Sequence, residues 1–271
     1  MRDTVAAHRP DLVELASEVV GDDPFQRVDD GTRYAQPAIY LASVVSWERL
    51  AASGFSADVV AGHSLGEVAA LVAAGVLSAE DGLKLVATRG RLMQESGERA
   101  GDGSMLALLG TGAAERAAQV AEPHGLTVAN DNAPNQVVLS GSRGAFDAAT
   151  VTAKGLGLRA VPLPVTGAFH SPFMAEAVPE FAAALAQIDF QPAQIEVVSS
   201  ITTVPFDDVA ARLADALTQP VRWRETLVAL NEGGATRFVE AAPGKVLTGL
   251  VRRTLSDVEA KTAEQLEPAD A

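Results

Sequence analysis

One serine in this chain stands where a serine can become a nucleophile. Gly62-His63-Ser64-Leu65-Gly66 matches the pattern G-x-S-x-G. The apolar run Asp58-Val59-Val60-Ala61 precedes it, and a helix-forming stretch from Glu67 to Ala74 follows. A strand turning sharply into a helix strains the serine backbone, and side chains two positions to either side are expected to clash. The serine oxygen then stands at a helix N-terminus, where amides and the dipole favour a developing oxyanion. The amide of Leu65, directly after the serine, is the natural first donor. The plainer reading is a glycine-flanked turn with an N-capping serine; the strand before and the helix after favour the nucleophile.

A serine hydroxyl needs a base. The four histidines are His8, His63, His124 and His170. His63 is adjacent in sequence, but neighbouring side chains diverge at such an elbow. His8 falls in a surface helix and His124 in a Pro-His-Gly turn. His170 lies in Thr166-Gly167-Ala168-Phe169-His170-Ser171-Pro172, a loop entering a helix, where functional side chains often sit. It is the candidate base; the plainer reading is a histidine capping that helix. No Asp follows in a triad-like setting; a backbone carbonyl can do the same job by accepting the Nδ1 proton. Such a dyad suits acyl transfer as well as hydrolysis. With no cysteine and no HExxH-type cluster, thiolate chemistry, disulfides and a dedicated metal site are not expected.

The elements that must position these residues alternate. Helices are expected over 3–20, 36–53, 67–74 and 79–96, the last entered at the N-cap Ser78. The strand at 58–62 leads into the elbow. From residue 104 the order is strand 104–110, helix 112–122, strands 126–129 and 136–140 around an Asn/Pro-rich connection, helix 144–155 and strand 158–163. This β-α-β-β-α-β order is that of a ferredoxin-like unit. It reads as an insertion, so that 1–103 and 164–271 form one subdomain and 104–163 another. Beyond it come helices at 172–186, 209–217, 221–231 and 246–253 and strands at 195–199 and 237–240. The tail from Ser256 is acidic and Ala-rich and is expected to fray. The fold class expected is α/β, a parallel sheet with helices on both faces.

Composition narrows the function further. The chain has 271 residues, 48% apolar and 21% charged, enough for a substantial core. Its net charge of −14 argues against binding nucleic acid or anionic lipid, both of which need clustered Lys and Arg. No apolar run approaches the ~18 residues of a membrane span. The N-terminus lacks a secretory h-region. A cytoplasmic protein is therefore expected, with a monomer as the default.

Several ordered segments carry a resemblance. They are Tyr34-Ala35-Gln36-Pro37-Ala38, the elbow through Glu67, Arg89-Gly90-Arg91-Leu92-Met93-Gln94, Gly167-Ala168-Phe169-His170-Ser171, Gln219-Pro220-Val221-Arg222-Trp223, and the stretch from Ala242 to Leu250. From near residue 1 to about residue 254 the chain resembles the malonyl-CoA:acyl-carrier-protein transacylases and the acyltransferase domains of polyketide synthases, including stand-alone forms that act in trans. The resemblance implies an α/β-hydrolase-like large subdomain with a ferredoxin-like insertion. It implies that Ser64 is acylated, that His170 is its base, and that Arg89 holds the malonyl carboxylate. A planar guanidinium can grip a carboxylate through two parallel hydrogen bonds. The resemblance further implies that the Gln219 carbonyl orients His170, and that Asn132 and Gln36 line the cleft. Phe169 is similar to malonyl-selective members, where a bulky ring would crowd an α-methyl group.

The reaction implied by the resemblance is a ping-pong transfer of malonyl from malonyl-CoA through Ser64 to the phosphopantetheine thiol of an acyl carrier protein, in fatty acid or polyketide synthesis. No cofactor is expected beyond the CoA and phosphopantetheine that the substrates carry. Carrier proteins are usually acidic, so docking would need a local basic rim, for which Arg222, Arg224, Lys245, Arg252 and Arg253 are candidates. The rivals are a serine thioesterase or hydrolase, and a catalytically impaired acyltransferase-like scaffold. The scaffold reading rests on one departure. Family members open with an apolar strand and a Gly-Gln-Gly-Ser-Gln loop that gives a second oxyanion amide, whereas Met1-Arg2-Asp3-Thr4 resembles the stretch just after that loop. An internal start or a true loss would give the same result. This chain is then expected to be impaired in catalysis or stability.

Overall fold

The elbow sits between a helical body and two short pairs of parallel strands. The computed structural model describes residues 1–241 and 243–266. The elements in order are α1 (Arg2–His8), α2 (Pro10–Val20), α3 (Thr32–Ala52), β1 (Val59–Ala61), α4 (Gly66–Ala73) and α5 (Ala79–Ala100). Next come β2 (Gly103–Leu109), α6 (Ala113–Ala121), β3 (Thr127–Ala133), β4 (Gln136–Ser142), α7 (Phe146–Gly155) and β5 (Arg159–Pro162). The chain continues through α8 (Val178–Leu185), β6 (Glu196–Val198), α9 (Val209–Asp215), α10 (Trp223–Glu232), β7 (Arg237–Glu240), α11 (Val246–Thr254) and β8 (Glu259–Thr262).

The inserted unit is a complete small sheet. Its strand order is β3-β4-β2-β5, all neighbours antiparallel, with β2 paired to β4 from Gly103↔Ser142 to Leu109↔Gln136. That is the ferredoxin-like order. Alternation sends Leu106, Leu108, Val137 and Leu139 to one face, where they meet Val120 of α6 and Phe146 and Ala149 of α7 in one buried cluster. Met105, Ala107 and Val138 point the other way, toward the loop that carries Phe169.

The large subdomain is built differently. β1 pairs in parallel with β6, and β7 in parallel with β8, as two separate ribbons. Two apolar clusters accompany them. One gathers α1 to α5, α8 and α9 around Tyr40, Leu71, Leu83 and Phe181. The other gathers Trp223, Leu227, Leu250, Val251 and Ala260 around β7 and β8.

The structure departs from several sequence expectations, each for a local reason. The helix expected over 3–20 is broken at Arg9, because Pro10 disfavours the helical conformation of the residue before it. Arg9 then donates to Asp11, Glu48 and Glu80, tying α2 to α3 and α5. Helix α3 starts at Thr32 rather than 36, with Pro37 inside it. The Asn/Pro-rich connection is strand as far as Ala133; β3 continues past Asn130 and Asn132 by means of register shifts, leaving Pro134 and Asn135 as the turn. The helix expected over 172–186 opens as a 3-10 stretch over Pro172–Ala177. The tail is not frayed where it is described: β8 pairs with β7, and a Thr262–Gln265 capping box follows. Its last residues, 267–271, lie outside the described residues, as does Ala242 at the head of the segment Ala242–Leu250.

Candidate active site

The strand-to-helix turn forces the geometry of the serine. Ser64 has φ of 55°, in the left-handed region. A Cβ on Gly62 would lie 1.9 Å from the carbonyl carbon of Gly66, so only glycine fits at 62. At Gly66 a Cβ would meet nothing within 4 Å, which corrects the expectation that both glycines are needed for space. Gly66 and Glu67 donate back to the His63 and Ser64 carbonyls. The Leu65 amide, directly before α4, has no backbone acceptor among the described residues.

His170 arrives from the returning loop, also with φ of 55°. Ser140 of β4 donates to the Phe169 carbonyl at 2.7 Å, anchoring that loop on the small sheet. Ser171 caps the turn after it. The loop also packs on α5, where a Cβ on Gly97 would come within 2.5 Å of the Thr166 carbonyl oxygen.

These constraints bring Ser64 Oγ to 2.8 Å from His170 Nε2. Nδ1 on the other side of the ring donates to the Ala216 carbonyl at 2.8 Å and to that of Gln219 at 3.2 Å. Both carbonyls follow α9. With its proton held at Nδ1, the neutral ring presents a lone pair to the serine hydroxyl. Burial pushes the imidazole down to about 3, with the Arg89 charge and His63 acting in the same direction. The base is therefore neutral at rest. The carbonyl expected from Gln219 is present, but the shorter bond goes to Ala216, which sequence reading missed. A main-chain acceptor leaves no signature in side-chain type.

Arg89 reaches the same point from α5. Its Nη2 donates to Ser64 Oγ at 3.0 Å and its Nη1 to Gln36 Oε1 at 2.8 Å. Gln36 in turn donates to Thr32 Oγ1. Arg89 is 4% exposed, and both acceptors are neutral. Burial pushes its guanidinium down to about 10, so it stays charged at neutral pH. Its direct partners are neutral, and only the charge of Glu67, outside hydrogen-bond contact, opposes the effect of burial.

Asn132 does not reach the serine. Its Oδ1 lies 2.8 Å from His63 Nε2, while the His63 ring packs edge-on against Trp223 at 5.6 Å. His63 thus diverges from Ser64 as expected and joins β3 to the elbow. Phe169 is half-buried among apolar residues between the two subdomains. Glu67, passed over in the sequence because acids are common in first helical turns, is 1% exposed. Its Oε1 accepts from the Ser199 hydroxyl and from the Ser200 amide and hydroxyl. Burial raises its carboxyl to about 7. Around the expected rim, Arg222 pairs with Glu225 and Arg224 with Asp131, while Arg252 and Arg253 donate to neutral acceptors.

The profile of the acyl transferase domain family matches residues 15–269. The chain belongs to that family. A malonyl CoA-acyl carrier protein transacylase of Synechocystis is 41% identical over 239 residues, 87% of this chain and 80% of that one. A polyketide biosynthesis malonyl CoA-acyl carrier protein transacylase of Bacillus velezensis is 37% identical over 268 residues, 93% of this chain and 91% of its own. Among solved structures, the malonyl CoA-acyl carrier protein transacylase of Coxiella burnetii superposes with a TM-score of 0.86 at 33% identity, covering 97% of this chain and 87% of that one. The acyltransferase fold, with its large subdomain and antiparallel small subdomain, is that of these relatives. No helix among the described residues is long and apolar enough to cross a membrane.

Proposed function

We propose that the chain is an acyl-carrier-protein S-malonyltransferase working through a Ser64 acyl-enzyme. The observation that carries this reading is the buried Arg89 guanidinium, which bonds both Gln36 and the nucleophilic oxygen and, among the described residues, has no carboxylate in hydrogen-bond contact, its one recorded countercharge being the more distant Glu67. A thioesterase acting on neutral acyl chains would have no use for that charge. A malonyl carboxylate supplies the missing anion and can take up two donors at once.

In this reading His170 Nε2 removes the Ser64 proton as Oγ attacks the thioester carbonyl. The Ala216 and Gln219 carbonyls hold the imidazolium that forms. The Leu65 amide donates to the tetrahedral oxyanion. Collapse expels the CoA thiolate, which takes the proton from His170 and leaves malonyl-Ser64. A phosphopantetheine thiol then gives its proton to His170 and attacks the ester, and Ser64 is regenerated with its proton. Phe169 disfavours an α-methyl branch, so malonyl is taken over methylmalonyl. Asn132 borders the cleft through His63. Arg252 and Arg253, whose acceptors are neutral, and the exposed Lys245 are the parts of the basic rim with charge to offer an acidic carrier protein. A cytoplasmic monomer that needs no bound cofactor belongs to the same proposal.

The test is intact-protein mass after mixing with equal malonyl-, methylmalonyl- and acetyl-CoA, with Ser64→Ala beside it. A malonyl adduct absent from the variant is expected. Loss of that adduct to water as fast as to carrier protein would favour the hydrolase instead. A folded chain that forms no adduct would favour the scaffold.

A further inference from the structure

His170 is held by the small subdomain as well as by its own loop. The peptide that joins Phe169 to His170 carries a carbonyl, and the Ser140 hydroxyl donates to it at 2.7 Å. Ser140 lies on β4, opposite Met105 of β2 on one side and Thr127 of β3 on the other. It is 1% exposed. Alternation along β4 puts it on the face of Val138, where Met105, Ala107 and Ala129 form an apolar cluster with Val165 and Phe169 packed on it. A hydroxyl buried on such a face is costly unless it finds an acceptor. The acceptor it has found controls the base. Turning the Phe169 carbonyl turns its whole peptide plane, and the φ of His170 is the rotation that follows that plane. That φ is 55°, a conformation that persists only where the surroundings over-determine it.

The same sheet holds the groups on the far side of the ring. On β3, the Ala129 carbonyl accepts from the Val221 amide and the Asp131 amide donates to the Val221 carbonyl, each at 2.8 Å. The Asp131 carboxylate takes a forked set of bonds from Arg224. Val221 lies two positions after Gln219, whose carbonyl faces Nδ1. Two adjacent strands thus hold the chain one residue before the imidazole and two residues after one of its acceptors. We propose that Ser140 is a positioning residue for the base, and that the small sheet is the frame that sets His170 against the Ala216 and Gln219 carbonyls and so aims Nε2 at Ser64. This inference rests on the reading of His170 as the base of an acyl-enzyme reaction. Ser104 is the natural control. It is also 1% exposed, lies on β2 of the same sheet, and donates to the carbonyl of Val165 in the same loop at 3.3 Å. Its loss removes a comparable tie but frees no peptide next to the ring.

Two readouts test the frame without malonyl transfer. One is the rate at which a fluorophosphonate labels Ser64, followed by intact-protein mass; it needs the serine and its base but no carboxylate on the reagent. The other is the magnetic-resonance signal of the His170 Nδ1 proton, which needs no reaction at all. In the parent that proton should exchange slowly, with Nε2 unprotonated. Ser140→Ala should slow labelling at least about tenfold, the kind of loss that follows when a reacting group shifts by a fraction of an ångström. It should also shift or broaden the Nδ1 signal. Ser104→Ala should label as fast as the parent, with the signal in place. Ser140→Cys keeps the side-chain shape with a weaker donor and should fall between parent and alanine variant. It carries the test if the alanine variant does not fold. Labelling as fast as in the parent, or an unmoved Nδ1 signal, in a folded Ser140 variant would overturn the proposal. So would equal losses in Ser104→Ala, which would make the effect one of the loop in general. A parent chain that resists the reagent would count against the acyl-enzyme reading. The Nδ1 signal would then decide alone, upholding the frame if it moves in the Ser140 variant and stays in the Ser104 variant, and overturning it otherwise.

Discussion

The two sides of the elbow are finished to different degrees. In front of Ser64, hydroxyl, imidazole, guanidinium and amide are linked in one run of hydrogen bonds from Thr32 through Gln36, Arg89 and Ser64 to His170 and the carbonyls after α9. Behind it, two strand edges face each other across an apolar gap. The small subdomain supplies a third point of reference, since its four strands are fully laddered and share one core. The difference shows that the chemical groups are held chiefly by helices and loops. α3 and α5 bring Gln36 and Arg89, the loop tied to β4 brings His170, and the sheet contributes only the sharpness of the turn. Reactivity and sheet completeness are thus separable properties here, and substitutions should be able to move one without the other.

The largest expected separation is at His170. His170→Ala should lower the rate of Ser64 acylation by about 10⁴-fold, the scale for loss of a catalytic base, while the far-ultraviolet spectrum stays unchanged. A loss under tenfold, read by quenched-flow mass measurement, would mean another group takes the serine proton. Gly62→Ala should fail in the opposite way. Its methyl would sit inside the Gly66 carbonyl group, so the elbow must move and the chain is expected to be recovered mainly unfolded. Gly66→Ala, with open space around its Cβ, should unfold within about 0.5 kcal/mol of the parent. Equal denaturant midpoints for the two variants would show that the elbow is looser than drawn.

Next in size is Arg89→Ala. Removing the carboxylate partner should cut the preference for malonyl- over acetyl-CoA by about 10²-fold, chiefly through loss of malonyl turnover. Unchanged competition between the two thioesters would sink the assignment of Arg89.

Two pH experiments sharpen the comparison with smaller effects. The Glu67 carboxyl is raised from its ordinary 4.5 to about 7 by burial, so the folded state holds its proton more tightly than the unfolded state does. The stability it contributes is full below about 4.5 and is lost as pH rises through 7. Glu67→Gln removes that loss, so its advantage in thermal midpoint over the parent should grow between pH 5 and pH 8. A constant difference would show that the carboxyl is ionised throughout. His170 has the opposite sign. Its depressed value means that its contribution is full above about 6.5 and is lost as pH falls toward 3. For the reaction this means little change: acylation by Ser64 should vary less than threefold from pH 8 to pH 5. A free imidazole of ordinary pKa near 6.5 would lose about 30-fold over the same range.

Legibility in the sequence followed the range of the cause. The elbow, the Ser78 cap and the order of the small subdomain were readable because each depends on residues within a few positions of one another. His170 was readable by elimination among four histidines. The break at Arg9 follows from Pro10 and could have been seen. Three features could not. The Ala216 carbonyl belongs to the backbone, which every residue type shares. Glu67 looks like any acid in a first helical turn, and only the turn at Ser199 and Ser200, more than a hundred positions on, makes it a buried acceptor. Strand β8 is four residues long, with one acid and one base, and pairs along the edge that β7 offers it.

Ser64 and His170 share a backbone conformation that neither side chain favours, at a φ of 55° each. Glycine occupies that region freely, and asparagine more readily than serine. The reacting pair is therefore held at a standing conformational cost that those residues would lessen. In a lineage of this chain relieved of its chemistry, positions 64 and 170 should be among the first to drift, and toward glycine or asparagine rather than alanine. A genome survey of inactive copies would then carry a fossil imprint of the elbow, legible from two codons alone.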